Sequence, residues 1–122
     1  KSVVVVGSGR LVGAPAAQYA VSLEAVVTVV TKDSNNLATT KDADIIILGA
    51  GSPGLLTPEM VKEGTVVFDA GTSEEGGMLV GDADKAVANK ASYFTPVPGG
   101  IGPLTIAILL KNVLYLAKLH RK

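Results

Sequence analysis

A run of four valines, Val3 to Val6, constrains the fold more than any other feature of the sequence. β-Branched residues favour strands, and a strand without polar alternation needs cover on both faces, as in a parallel sheet. Further apolar runs of strand length follow at Ala25–Val30, Asp44–Leu48, Thr65–Asp69 and Tyr93–Phe94. This alternation predicts one doubly wound α/β domain over residues 1–122, with about five mostly parallel strands and helices on both faces.

The segments between these strands carry helix and turn signals. Helices are predicted over Gly13–Ser22 and Pro103–His120, with short helical turns over Ser34–Ala38 and Thr57–Glu59. Asp82 is expected to cap a helix that runs to about Lys90, because aspartate favours the N-cap position. Residues 70–81 are rich in glycine and are predicted to form a loop.

The first strand leads directly into a glycine loop, Gly7-Ser8-Gly9-Arg10-Leu11-Val12-Gly13. Gly7 permits a tight turn, Gly9 lets the backbone approach a pyrophosphate, and Gly13 lets the next helix pack closely. The helix N-terminus then offers amides and a positive dipole to phosphate groups. The loop therefore predicts dinucleotide binding in a Rossmann-like domain, and a purely structural glycine turn is the alternative.

Specificity for the adenosine ribose is expected at the end of the second strand, at Thr31, Lys32 and Asp33. Asp33 could accept a hydrogen bond from a 2′-hydroxyl and favour NAD. Lys32, helped by Arg10, could instead hold a 2′-phosphate and favour NADP, which is the preferred interpretation. A third interpretation is that these residues are ordinary solvated loop charges.

A second conspicuous segment, Thr95-Pro96-Val97-Pro98-Gly99-Gly100-Ile101-Gly102-Pro103-Leu104-Thr105, follows the fifth strand. Three prolines and three glycines in eleven residues fix an unusual backbone path. The segment lies at the carboxyl edge of the predicted sheet, where open α/β folds bind ligands. It is predicted to form a rigid wall beside a nicotinamide, and a simple cap on the last helix is the alternative.

This proline- and glycine-rich segment is similar to the P-V-P-G-G-V-G-P-M-T motif of methylenetetrahydrofolate dehydrogenase/cyclohydrolase. Other matches keep the order of that family, at Val12–Pro15, Ala43–Ile45, Gly51–Pro53, Val61–Gly64, Val67–Gly71 and Leu79–Asp82. The resemblance covers essentially the whole chain but only the C-terminal, NAD(P)-binding domain of the enzyme. The N-terminal domain of the family carries the folate-activating lysine, and this chain has no matching segment.

The resemblance implies a cofactor site with two sides and one wall of a folate site. The pyrophosphate and ribose side comprises Gly7, Ser8, Gly9, Arg10, Gly13, Thr31 and Lys32. The nicotinamide side comprises Gly51, Pro53, Gly71 and Thr72. The wall that borders the folate substrate comprises Pro98, Gly99 and Gly100. No catalytic residue is assigned, so the chain is expected to be inactive alone in the oxidation of methylene-tetrahydrofolate and the hydrolysis of its product.

Composition excludes several other functions. Eleven basic residues balance eleven acidic ones, which argues against nucleic-acid binding. The absence of cysteine excludes a thiol nucleophile and a thiolate metal site. Asp69, Asp82 and Asp84 could resemble a metal cluster, but caps and turns are the favoured interpretation, and no metal is expected.

The last helix carries apolar residues around most of its circumference, which predicts a surface covered by a second domain or a second subunit. Lys111, Asn112 and Lys118 interrupt the apolar pattern and argue against a membrane span. We expect a cytoplasmic location and a homodimer or a docked partner domain. The start at Lys1 suggests an excised or processed piece, and a stand-alone nucleotide-binding or interaction module remains the alternative function.

Overall fold

A five-stranded parallel sheet forms the centre of the computed structural model, which describes residues 1–34 and 36–121. Seven strands are described: β1 Ser2–Val6, β2 Val26–Val30, β3 Ile45–Leu48, β4 Val66–Asp69, β5 Ser73–Glu75, β6 Met78–Val80 and β7 Tyr93–Phe94. β5 and β6 form a separate hairpin. The order across the large sheet is β2-β1-β3-β4-β7, with every neighbouring pair parallel. The predicted α/β class with about five parallel strands is confirmed.

Both faces of the sheet are covered, as the valine run predicted. Val3 and Val5 pack with Ala20 of α1, which spans Gly13–Ser22 as expected. Val4 and Val6 belong to the opposite cluster, whose further buried members are Val30, Ala43, Ile46, Leu48, Leu56, Val61, Val67 and Val87. Short 3₁₀ helices, at Leu37–Asp42, Pro58–Met60 and Lys85–Asn89, contribute to this second face in place of full α-helices.

Three local predictions are wrong. Residues 70–81 contain the β5–β6 hairpin, whose turn residues Gly76 and Gly77 both have positive φ, +57° and +79°. A two-residue hairpin turn of the I′ type needs that conformation at both positions, which glycine adopts without strain. The helical turn predicted over Ser34–Ala38 lies instead at Leu37–Asp42, and Asn35 is outside the described residues.

The helix predicted to begin at Asp82 is the 3₁₀ helix Lys85–Asn89, and its cap is Asp84. The Asp84 carboxylate accepts from the Ala86 amide at 2.8 Å. Asp82 has a different role, which is described with the site below.

The longest helix, α2, spans Ile101–Leu119 and therefore begins two residues before the predicted Pro103. Proline is tolerated there because the first turn of a helix has no intrahelical acceptor for its N–H groups. Every residue from 102 to 119 is exposed. By length and composition alone, α2 is also the one helix in the described part of the chain that could cross a membrane.

Candidate functional site

The loops after β1 and β3 meet at the carboxyl edge of the sheet, where the chain direction across the sheet reverses. β1 connects to β2 on one side, whereas β3 connects to β4 on the other, so a crevice opens between these loops. Gly7 follows β1 with a φ of +102°, and a Cβ there would lie 2.5 Å from the Gly49 carbonyl oxygen. A Cβ on Gly13 would collide with the Gly7 carbonyl. Glycine is therefore required at both positions for strand, loop and helix to approach one another.

Gly9 differs from these two glycines because a Cβ there would meet open space. The Gly7 amide donates to Val30 O at 2.8 Å, and the Ala14 amide donates to Gly9 O at 2.9 Å. Pro15 has no N–H, so the start of α1 offers fewer free amides than predicted. Within the described residues, the amides of Ser8, Gly9 and Arg10 have no backbone acceptor, which makes this stretch the part of the loop suited to bind an anion.

A cavity of about 410 Å³ lies in this crevice. It is lined on one side by Gly7, Ser8 and Gly9, and on the other by Gly49, Ala50, Ser52 and Leu55. Its far end is lined by Thr31, Lys32, Asp33 and Leu37. The structure thus brings the glycine loop and the end of β2 together, as the predicted pyrophosphate and ribose positions require.

The other predicted cofactor residues do not line this cavity. Arg10 is exposed on the glycine loop, and Gly51 and Thr72 are exposed on theirs. Gly71 is buried against Asp82, where a Cβ would lie 2.5 Å from the Asp82 amide nitrogen. Pro53 borders a second cavity of about 550 Å³, together with Pro96 and Val97 of the predicted wall.

The proline- and glycine-rich wall has the irregular backbone that its composition predicts. The Val97–Pro98 peptide bond is cis, and Gly99 has a φ of +97°. A Cβ on Gly100 would collide with the Pro96 carbonyl, so the loop folds tightly on itself. Pro98 and Gly99 are exposed and available to a ligand, whereas Gly100 is half-buried.

Two buried carboxylates hold the loops of this edge. Asp82 is fully buried and accepts hydrogen bonds from the amides of Ala50, Gly51 and Ser52 at 2.7, 3.1 and 2.7 Å. Asp69 ends β4 as predicted and accepts from the amides of Gly71, Asp82 and Ala83. The Asp69 contact with Gly71, two residues ahead, fits the predicted turn role, whereas Asp82 accepts from the amides of a distant loop.

The sequence did not predict that Asp82 binds the amides of residues 50–52. Aspartate commonly binds amides near itself in the chain, and that local rule led to the helix-cap prediction. The three amides lie 30 to 32 residues away. The sequence contains no local signal for a contact of that length.

Comparison with known proteins identifies the family of this chain. The NAD(P)-binding domain model of tetrahydrofolate dehydrogenase/cyclohydrolase matches residues 1–121. The chain belongs to this family. The family description names NAD(P), and the cavity at the β1–β3 crevice is the candidate site for this dinucleotide.

Relatives and solved structures agree with the family assignment. The bifunctional protein FolD of Campylobacter hominis is 51% identical over 121 residues, which cover 97% of this chain. The crystal structure of FolD from Campylobacter jejuni has a TM-score of 0.92 and 43% identity over 98% of this chain. The Trypanosoma brucei enzyme, complexed with NADP cofactor and inhibitor, has a TM-score of 0.89 and 39% identity over 99% of this chain.

The chain spans less than half the length of these relatives. It covers 43% of the Campylobacter hominis protein, 43% of the Campylobacter jejuni chain and 45% of the Trypanosoma brucei chain. The predicted identity as the NAD(P)-binding domain of this family is confirmed.

Proposed function

We propose that this chain is the cofactor-binding part of an enzyme that oxidises methylene-tetrahydrofolate to methenyl-tetrahydrofolate and hydrolyses that product to formyl-tetrahydrofolate. The observation that carries the proposal is the glycine-lined cavity at the β1–β3 crevice, in a chain that matches the family's NAD(P)-binding domain over residues 1–121. The relatives are named as bifunctional proteins, and one structural neighbour is complexed with NADP.

The residues of the cavity fit a dinucleotide. Ser8 and Gly9 supply amides and an open backbone surface to the pyrophosphate, and Gly7 and Gly13 keep the loop close to β3 and α1. Lys32 and Thr31 line the same cavity and are the residues proposed to contact the adenosine ribose. These residues would hold the dinucleotide, whose nicotinamide would supply the hydride acceptor for the oxidation.

NADP is the proposed cofactor in preference to NAD. Lys32 lines the cavity and can offer an ammonium group to a 2′-phosphate, whereas Arg10 is exposed and does not line it. Asp33 also lines this end of the cavity and would favour a 2′-hydroxyl. The preference for NADP therefore depends on Lys32.

The folate side of the site needs residues from outside this chain. The wall of Pro98, Gly99 and Gly100 provides shape but no titratable side chain, and hydride transfer needs a substrate held in near-attack geometry. We expect the exposed apolar residues of α2 to pack against a complementary domain or a second subunit. A cytoplasmic location remains a prediction.

Two measurements on the purified chain test this proposal. Calorimetric titration with NADP⁺ and NAD⁺ is expected to give binding, and absence of binding to either at millimolar concentration would contradict the cofactor site. An assay for NADPH formation from methylene-tetrahydrofolate is expected to give no turnover by the chain alone. Turnover would reveal a catalytic group within these residues. Cofactor binding without folate chemistry, even when a complementary folate-binding domain is added, would favour a stand-alone nucleotide-binding module.

A further inference from the structure

Asp82 connects two parts of the molecule that are distant in sequence. Its Oδ2 accepts from the amides of Ala50 and Gly51, and its Oδ1 accepts from the amide of Ser52. Two of these loop residues, Ala50 and Ser52, line the dinucleotide cavity. The three amides have no backbone acceptor among the described residues, so the carboxylate is the group that fixes this loop.

The position of Asp82 is itself fixed by its neighbours. Its amide donates to Asp69 Oδ1 at 3.1 Å, and its carbonyl accepts from the Leu56 amide at 3.0 Å. Gly71 lies directly against its carboxylate, where a Cβ would be 2.6 Å from Oδ1. The carboxylate therefore has no room to turn away from the loop.

Asp69 extends this polar chain to the proline- and glycine-rich wall. The Asp69 amide donates to Thr95 Oγ1 at 2.8 Å, and Thr95 immediately precedes Pro96 of the wall. Thr95, Asp69 and Asp82 are all buried. A continuous set of hydrogen bonds thus runs from the wall, through the end of β4, to the loop that lines the cavity.

We propose that Asp82 is a positioning residue that holds residues 50–52 in the conformation required by the dinucleotide before it binds. The proposal rests on the proposed function, because it assigns Asp82 to the same cofactor site. A loop ordered in advance does not lose conformational entropy on binding, and the cofactor therefore binds more tightly. The amides of residues 50–52 are occupied by Asp82, so the pyrophosphate is left to the amides of Ser8 and Gly9.

The variant Asp82→Asn tests the effect on binding. Asparagine has nearly the same shape, but one oxygen becomes an NH₂ group that faces an amide N–H. We expect NADP⁺ binding, measured by calorimetry on protein shown to be folded by circular dichroism, to weaken roughly 10-fold or more. Asp42→Asn removes the same charge from an exposed residue that precedes β3, at the opposite edge of the sheet, and should bind like the wild type.

Amide hydrogen exchange in the wild type provides a second measurement that does not depend on the variant folding. The amides of residues 50–52 should exchange slowly without cofactor, and much more slowly than the exposed Gly54 amide of the same loop. Fast exchange of these three amides, or protection that develops only when NADP⁺ is added, would overturn the proposal. Unchanged NADP⁺ binding by folded Asp82→Asn would also overturn it.

The experiments distinguish a failure of the proposed function from a failure of this inference alone. If the wild type binds neither NADP⁺ nor NAD⁺, the cofactor site is contradicted. Slow exchange of the three amides would then assign Asp82 a purely structural role, and the positioning proposal would be overturned with the site.

Discussion

The glycines of the first loop differ in what surrounds them, and this difference separates their structural roles from their binding roles. Gly7 and Gly13 touch backbone atoms that cannot move aside, whereas Gly9 faces open space beside the cavity. The G-x-G-x-x-x-G spacing alone cannot make this distinction, because it depends on where Gly49 and the Gly7 carbonyl lie in the folded chain.

We expect Gly13→Ala to lower stability and Gly9→Ala to weaken cofactor binding. The new Cβ at position 13 collides with backbone, which should lower the free energy of unfolding by about 1–3 kcal/mol or more. Gly9→Ala should leave the free energy of unfolding nearly unchanged but weaken NADP⁺ binding, because the methyl group stands where the pyrophosphate approaches. Chemical denaturation and calorimetry measure the two effects. Equal stability of both variants would contradict the steric assignment.

Lys32 provides the test of cofactor preference. Lys32→Ala should weaken NADP⁺ binding by roughly 10-fold or more and leave NAD⁺ binding nearly unchanged, because only NADP⁺ offers a 2′-phosphate. Calorimetric titration of both dinucleotides measures the difference, and Lys41→Ala, at an exposed lysine that does not line the cavity, is the control. Equal losses of affinity for NADP⁺ and NAD⁺ would contradict the assignment of Lys32 to the 2′-phosphate.

At the scale of the elements, Asp44 ties together the amino ends of neighbouring strands. Its carboxylate accepts from the Ser2 amide at 2.9 Å, at the start of β1, and from Lys62 Nζ at 2.7 Å, ahead of β4. The Lys62 hydrogen bond, followed by the Ser2 hydrogen bond, holds the pKa of Asp44 well below its ordinary value of 3.8. This edge is opposite to the cavity, so its contribution is to stability and not to binding.

The sign of the resulting pH dependence follows from the lowered pKa. The unfolded chain binds a proton at Asp44 near pH 3.8, whereas the folded chain keeps this group ionised to lower pH. The stabilisation is therefore complete above about pH 4 and decreases as the pH falls further. Asp44→Asn should be less stable than the wild type at pH 7, and the difference should shrink below pH 4. Denaturation at several pH values measures this, and a constant difference from pH 7 to pH 3 would contradict it.

The whole molecule consists of a packed sheet domain and an exposed helix, α2. Leu110 and Leu114 are 61% and 64% exposed, although leucine is normally buried. Apolar surface of this extent is typical of an interaction site. The sheet domain contributes no buried contact to α2, because no residue of the helix is buried.

We expect the chain to self-associate in solution through α2. The double variant Leu110→Glu/Leu114→Glu should reduce the measured mass towards that of a monomer. At protein concentrations low enough to dissociate the wild type, it should change the free energy of unfolding by less than about 0.5 kcal/mol. Val67→Ala, at a fully buried core position, should instead lower the free energy of unfolding by about 2 kcal/mol. Light scattering and denaturation separate the two effects. A wild type that is strictly monomeric at high concentration would contradict the association.

The sequence by itself determined the features that depend on local pattern. β-Branched runs located four strands of the large sheet, and the aromatic pair Tyr93–Phe94 located the fifth. The glycine spacing located the crevice loop, and the bounds of α1 were predicted correctly. The Pro-Gly segment identified the family, because its residues lie close together in the chain and keep a fixed order. The Gly76-Gly77 turn could also have been predicted, since two consecutive glycines between short strands favour a hairpin.

Only the tertiary structure decided how the loops are held and which residues share a cavity. Asp82 reaches amides about 30 residues away. Of the predicted cofactor residues, only the glycine loop and the end of β2 share the crevice cavity, whereas Pro53 borders a second cavity. Such contacts depend on strand order and on burial, which bring distant segments together at one edge of the sheet. A side chain's preference for neighbouring amides is a local rule, and burial against a distant loop overrides it when that loop has no other acceptor.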